Sequence, residues 1–238
     1  MVLNFAHRGS LTEAPENTIP AFQKAITHGA KALELDVQLT KDNHLIVCHD
    51  HKLTRFNPNA DRLIKDYTLE EIKQIDVGLS FGQEYEGVAL PTLEEVLDIC
   101  PTDLIINVEI KNIPVLYDGI EEILLNCLWD NNRFHNVLIS SFDHVALKKV
   151  QELTTKIPLG MLFHYRLLNT WEYVKQSGLD ISSINPNHVY VDKDFVENCK
   201  KFGYKVYPYT VNSWERYEEL IDFGVDGVFS NNPEIFTK

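Results

Sequence analysis

At 238 residues, with 44% hydrophobic and 24% charged side chains, the chain has ordinary globular proportions, which exclude long disorder and fibrous repeats. Its length suits one large domain or two small ones around a sizeable core. Lys and Arg number 22 against 35 Asp and Glu, a formal net charge of −13. So acidic a chain repels nucleic-acid backbones and anionic membrane surfaces, and leaves a small anionic substrate drawn in by locally concentrated positive charge.

In chain order, a first apolar strand is expected over 2–6, running straight into His7, Arg8 and Gly9. A helix over 20–28 stops before Gly29. The second strand, 32–37, is apolar except for Glu34 and Asp36, which a period of two projects to one face. The hairpin-like run LIVCHD then ends at His49. Between His49 and Leu90 the rhythm breaks into turn formers and charges, with a short helix only at 68–75. We read about 51–90 as a cap-like insertion over the mouth of a single domain spanning 1–238. Thr92 and Glu95 have capping-box spacing for a helix over 92–99. The strand over 104–110 brings Asn107, Glu109 and Lys111 to one face at its C-terminal end. Helices over 117–131, 144–153, 170–176, 194–202 and 213–223 then alternate with strands over 137–140, 158–163, 181–184, 204–209 and 226–230. Gly178, Gly203 and Gly224 sit where helices should end.

Strand and helix repeated about eight times, with near-continuously apolar strands, imply a parallel sheet covered by helices. The fold class is α/β, a (β/α)8 barrel of the TIM-barrel kind. A doubly wound open sheet would be favoured by GxGxxG after the first strand, and the sequence has none. The four cysteines, Cys48, Cys100, Cys127 and Cys199, form no CxxC pair. The first residues carry neither a basic start nor a long apolar run, and no segment approaches the ~20 apolar residues of a membrane span. A cytoplasmic chain without membrane insertion is the expectation.

The polar residues fall at strand exits, where barrel active sites are built. Glu34, Asp36 and Glu109, packed together, would repel unless protonated or held by a cation. All-oxygen ligation favours a hard ion, one Mg2+ or Ca2+. Arg8 and Lys111 supply charge for a phosphate, Arg as a fork and Lys as a point charge. His7 and His49 are suited to exchange protons near neutral pH. Together these groups describe phosphoryl chemistry.

HRG at 7–9, APENT at 14–18, ELDVQLTKD at 34–42, HD at 49–50, LPTLEEVL at 90–97 and EIK at 109–111 resemble the glycerophosphodiester phosphodiesterase family. SSF at 140–142, YTVN at 209–212 and DGVFSNNP at 226–233 continue the match in the family's order. The resemblance implies a metal-dependent hydrolase that cleaves glycerophosphodiesters to sn-glycerol 3-phosphate and an alcohol. It implies Glu34, Asp36 and Glu109 as metal ligands, and His7 and His49 as general base and acid in an order left open. Arg8 and Lys111 would hold the phosphate, and Glu16 and Asn17 would buttress the first loop. It also implies attack by the substrate's own hydroxyl, giving a cyclic phosphate that water opens. Family members often carry Trp at Tyr209 and Thr-Asp at Ser230-Asn231. Both departures are expected at the mouth, outside the metal and proton-transfer set.

Phe163 and Tyr209, late in their strands, are further candidates for the substrate pocket. Cys48 should point away from His49 as a buried thiol. His28, His44, His51, His135, His144, His164 and His188 are expected on loops or helix ends. A phospholipase-D-like enzyme acting on lysophospholipids would want an apolar rim, which the charged insertion does not supply. Glu34 and Glu109 as a glycosidase pair would leave His7, Arg8, His49 and Lys111 idle. A barrel that only binds phosphodiesters would not need the full set of histidines and carboxylates.

Overall fold

In the computed structural model, which describes residues 2–232, strand and helix alternate as expected. The elements in order are β1 (Leu3–His7), α1 (Ile19–Thr27), β2 (Ala32–Leu39), β3 (Leu45–Val47), α2 (Leu69–Lys73), α3 (Leu93–Ile99), β4 (Ile105–Ile110), α4 (Ile120–Asp130) and β5 (Val137–Ser141). They continue with α5 (His144–Leu153), β6 (Leu159–Phe163), α6 (Thr170–Gln176), β7 (Ile181–Pro186), α7 (Lys193–Lys201), β8 (Lys205–Val206), α8 (Trp214–Phe223) and β9 (Gly227–Ser230). The parallel order is β8-β7-β6-β5-β4-β2-β1-β9, and β3 is an antiparallel appendage on β2. At the seam the amide of Phe229 donates to Pro208 O and that of Val211 to Phe229 O, at 3.0 and 2.8 Å, so the eight parallel strands form a nearly closed barrel.

Two of the expected spans shrink for identifiable reasons. The strand expected over 204–209 is regular only at β8, because Pro208 has no N–H to give the ladder; Tyr209 rejoins through a single bridge to Asn187. The helix expected from 117 starts at Ile120, after Gly119 takes a left-handed φ of 80°. Capping boxes open both α2, from Thr68 and Glu71, and α3, from Thr92 and Glu95.

The period of two divides the side chains between separate cores. Leu33, Leu35 and Val37 of β2, with Ile106, Val108 and Ile110 of β4, face the helices in the main apolar cluster. Inside the barrel, toward the N-terminal ends of the strands, Phe5, Ala32, Leu138, Tyr207 and Phe229 form a second cluster. There Phe5 stacks on Phe229 at 4.6 Å and meets Tyr207 edge-on at 5.2 Å. Two residues further along the same strands the interior turns polar.

The segment between β3 and α3 carries a small core of its own. Leu53, Ile64, Ile72 and Val77 pack there with Ile46 and Cys48, so Cys48 is a buried thiol whose Sγ approaches Asp50 O. The segment also touches the first β–α loop, where Tyr85 Oη donates to Glu13 O and Arg55 donates to Glu16.

Candidate active site

Strand register sets the site. His7, Glu34 and Asn107 are cross-strand partners on β1, β2 and β4, and Asp36, Glu109 and Ser140 form the next row on β2, β4 and β5. Two inward positions on β2 and two on β4 therefore put carboxylates side by side. One oxygen from each of Glu34, Asp36 and Glu109 lies within 4.8 Å of the others. All three carboxylates are buried, and Asp36 Oδ1 has no hydrogen-bond partner. A buried acceptor left open among three carboxylates fits a hard divalent cation, so these residues could hold one.

The electrostatics divide the three carboxylates. Burial, reinforced by the charges of Asp36 and Glu109, pushes the Glu34 carboxyl well above its usual range. Burial also raises Glu109, against the pull of Lys111. Burial alone would raise Asp36 as well, but Arg8 and Lys111 hold it down at about 2. Arg8 Nε stands 3.4 Å from Asp36 Oδ2, and Lys111 Nζ is 2.9 Å from Glu109 and 3.8 Å from Asp36. Burial opposes the charge on both cations, yet these carboxylates raise their pKa values. Arg8 and Lys111 are thus charged groups beside the carboxylates.

The first loop is built to present Arg8. Arg8 takes a left-handed φ of 59°, and its amide donates to Glu34 Oε2 at 3.0 Å. Gly9 follows at φ 89°, where a Cβ would stand 2.6 Å from the backbone of Ala21, so the loop lies flat on α1 only with glycine. Behind it, Asn17 Nδ2 donates to Asp36 at 2.9 Å, and Glu16 accepts from Arg8 at 3.0 Å.

His7 ends β1 with Nδ1 2.6 Å from Asn231 Oδ1 and Nε2 3.9 Å from Glu34. Burial and the adjacent Arg8 charge lower its pKa to about 4. Asn231, expected outside the metal and proton-transfer set, is in direct contact with one of the two candidate histidines. The chain doubles back through β9 beside β1, which puts Asn231 on the ring nitrogen of His7. Pro233, which closes the last matched motif, lies outside the described residues. His49 follows β3 and bonds Asp50 Oδ1 through Nδ1 at 2.8 Å.

His7, Arg8, Glu34, His49, Glu109 and Lys111 all line one cavity of about 250 Å3, with Asp36 just behind. Phe229, from the aromatic cluster, belongs to its floor, and Tyr209 stands in its wall with Oη bonded to Phe163 O at 2.9 Å. Phe163 itself is not in that wall. By alternation on β6 its ring turns outward against His144 and Tyr173, and Leu162 and His164 face the cavity. His164 lies on the loop just past β6, as expected, and is also a wall residue, in step with Gly160 and Leu162 on the inward face. Phe142 and Ser140 also line the cavity, and Asn107 donates to Ser140 Oγ at 2.9 Å. Among the other histidines, His51 ties Gln38 to Ile113 O, and His28 pairs with Glu13.

The family model for the glycerophosphoryl diester phosphodiesterase family matches residues 7–235. The chain belongs to that family. It is 41% identical over 233 residues to a glycerophosphodiester phosphodiesterase of Caldanaerobacter subterraneus, covering 98% of this chain and 95% of that one. A glycerophosphodiester phosphodiesterase of Bacillus altitudinis is 38% identical, covering 97% of this chain and 94% of the relative. Among solved structures, an Oleispira antarctica phosphodiesterase in complex with the product sn-glycerol-3-phosphate superposes with a TM-score of 0.87 at 31% identity. That match covers 98% of this chain and 94% of the other. The family is one of phosphoric diester hydrolases, and its barrel is the one described above. No helix among the described residues is long and apolar enough to cross a membrane.

Proposed function

We propose that the protein hydrolyses glycerophosphodiesters to sn-glycerol 3-phosphate and an alcohol, using one divalent cation, Mg2+ or Ca2+. The observation that carries this is the meeting of three carboxylates, two histidines and two cations around one small cavity. The named activity of the relatives, and the product held by the Oleispira antarctica enzyme, support it. Four unpaired, buried cysteines fit a cytoplasmic setting.

Glu34, Asp36 and Glu109 are assigned as the ligands of the cation, which when bound supplies polarisation of the reacting oxygens. Arg8 grips the phosphate as a fork and Lys111 as a point charge. His7 and His49 share the proton work. One takes the proton of the substrate hydroxyl that attacks phosphorus, and the other gives a proton to the departing alcohol as its P–O bond breaks. Water then opens the cyclic phosphate with the two roles exchanged. Glu16 and Asn17 hold the first loop under Arg8 and Asp36, and Tyr209 fronts the organic end of the substrate. Residues 51–90 act as a cap on the same domain.

The test is release of glycerol 3-phosphate from diesters of choline, ethanolamine and glycerol, with EDTA and then with Mg2+ or Ca2+ restored. Cation-dependent release is expected; no release with any cation would overturn the proposal.

A second reading is favoured by one feature. Beside the cavity lies an apolar groove of about 460 Å3 that shares Phe142, Leu162 and His164 with it, and has Phe163, Ile113 and Leu167 in its walls. Leu168 next to it is 95% exposed. The loops after β4 and β6, rather than the insertion, thus supply the rim that a lysophospholipid chain would need. Adding lysophosphatidylcholine to the same panel tests this, with release of choline from it as the supporting result.

A further inference from the structure

The insertion contributes one residue whose bonds reach both halves of the proposed chemistry. Arg55 Nε donates to Asp50 Oδ2 at 2.8 Å, while Nη1 and Nη2 donate to Glu16 Oε2 and Oε1 at 2.9 and 2.8 Å. Each carboxylate keeps a second partner in the site. Glu16 Oε1 accepts from Arg8 Nη1 at 3.0 Å, and Asp50 Oδ1 bonds His49 Nδ1 at 2.8 Å. The result is an unbroken series Arg8–Glu16–Arg55–Asp50–His49, with Arg55 at its centre.

We propose that Arg55 is a positioning residue that sets Arg8 and His49 against each other, so that phosphate binding and proton transfer share one geometry. This rests on the roles given above to those two residues. Only a guanidinium can serve both ends, because its planar fork offers a bidentate edge to Glu16 and a separate N–H to Asp50. The fork is held in place from behind. Its carbon stands 4.4 Å over the Phe56 ring, and the turn that carries it is closed by bonds from the Phe56 and Asn57 amides to Leu53 O, at 2.9 Å each. Leu53 is itself fully buried in the insertion's small core. Burial works against the charge on Glu16, and the hydrogen bond from Arg55 together with the charge of Arg8 outweighs it.

With Asp50 fixed by Arg55, its other oxygen accepts from His49 Nδ1–H, which leaves Nε2 as the nitrogen free for proton exchange. Without Arg55, Asp50 keeps His49 as its side-chain partner but loses the bond that aims it. Glu16 would likewise hold Arg8 from one side only. An ion pair that merely decorated the surface would contribute little and would leave turnover alone.

The experiment compares wild type, Arg55→Ala, Arg55→Lys and Asp50→Asn with glycerophosphocholine and saturating cation, alongside melting temperature and 15N spectra of the His49 ring. Arg55→Ala is expected to lose kcat by about 30-fold and to raise KM about 5-fold, a misplacement effect at both ends of the series. Asp50→Asn should lower kcat with little change in KM. Arg55→Lys should recover one of the two parameters and not both. Guanidinium added to Arg55→Ala should restore at least a third of kcat. In the spectra, Arg55→Ala should lose the dominance of the Nδ1–H tautomer of His49.

A kcat and KM within about 2-fold of wild type in a folded Arg55→Ala protein would overturn the proposal. So would an unchanged His49 tautomer. The tautomer does not depend on turnover. Were no diester cleaved by wild type, the function above would fail while the spectra still decided whether Arg55 aims His49.

Discussion

The two ends of the barrel interior are made from the same strands and do opposite work. Toward the N-terminal ends, Phe5, Ala32, Leu138 and Phe229 close the interior with apolar surface. Two residues further on, His7, Glu34 and Ser140 face the cavity. A single step of the pleat therefore separates the part that stabilises the barrel from the part that costs it stability. Buried, mutually repelling carboxylates are tolerated at one end because a buried aromatic layer stabilises the other.

The largest expected effect is at the polar end. Asp36→Asn or Glu109→Gln should cost roughly 10³-fold in kcat, the scale of a lost electrostatic stabiliser, measured as glycerol 3-phosphate release at saturating cation. Glu34→Gln should be as damaging to turnover and yet raise the melting temperature in EDTA, since a strained buried carboxyl is replaced by a neutral isostere. A lower melting temperature would contradict the opposition between the ends.

Phe5→Ala reverses the pattern. It should destabilise the fold by ~3–5 kcal/mol in denaturant titration, with kcat of the folded fraction within about threefold of wild type. Loss of turnover without loss of stability would mean that the aromatic layer belongs to the site.

The third contrast is one of pH. Burial holds Glu34 and Glu109 above the ordinary 4.5, so without cation the folded state binds more protons than the unfolded state. Their contribution is complete below 4.5 and is lost as pH rises through the raised values. Asp36, near 2 against an ordinary 3.8, has the opposite sign and loses its contribution only as pH falls below 3.8. The stabilisation gained on adding Mg2+ should therefore grow as pH rises from 5 toward 8, as melting curves with and without EDTA would show. A gain that does not change with pH would mean that those carboxyls are ionised before the cation arrives.

The smallest effect expected is at His7. Asn231→Asp places a carboxylate where a neutral amide now meets Nδ1, which favours the imidazolium and should move the His7 pKa up by about one unit. A ring NMR titration with the cation bound would detect it.

Much of this was legible because strands reveal their faces in sequence. Glu34 with Asp36, and Asn107 with Glu109, stand two apart in apolar runs, which is enough to place them together once the runs are strands. The reversal at Cys48 follows from the same alternation, and the outward turn of Phe163 obeys it too, because Leu162 and His164 take the inward positions. What stayed illegible depends on closure. Asn231 meets His7 across 224 residues, and Arg55 meets Glu16 across 39. No local period encodes either contact, since each exists only when β9 returns beside β1 or when the insertion folds back on the first loop. The apolar groove is likewise non-local: it arises where the loops after β4 and β6 come side by side, not in the insertion.

The aromatic floor also governs traffic. With Phe229 at the bottom of the cavity and Phe5 stacked beneath it, the site is a blind pocket whose lower end is shut. Whatever enters from the C-terminal mouth of this cavity of about 250 Å3 leaves by the same opening. The departing phosphate therefore stands in the doorway of the next substrate. Glycerol 3-phosphate should compete with the diester, and the pace of its exit sets a ceiling on turnover that faster chemistry could not lift.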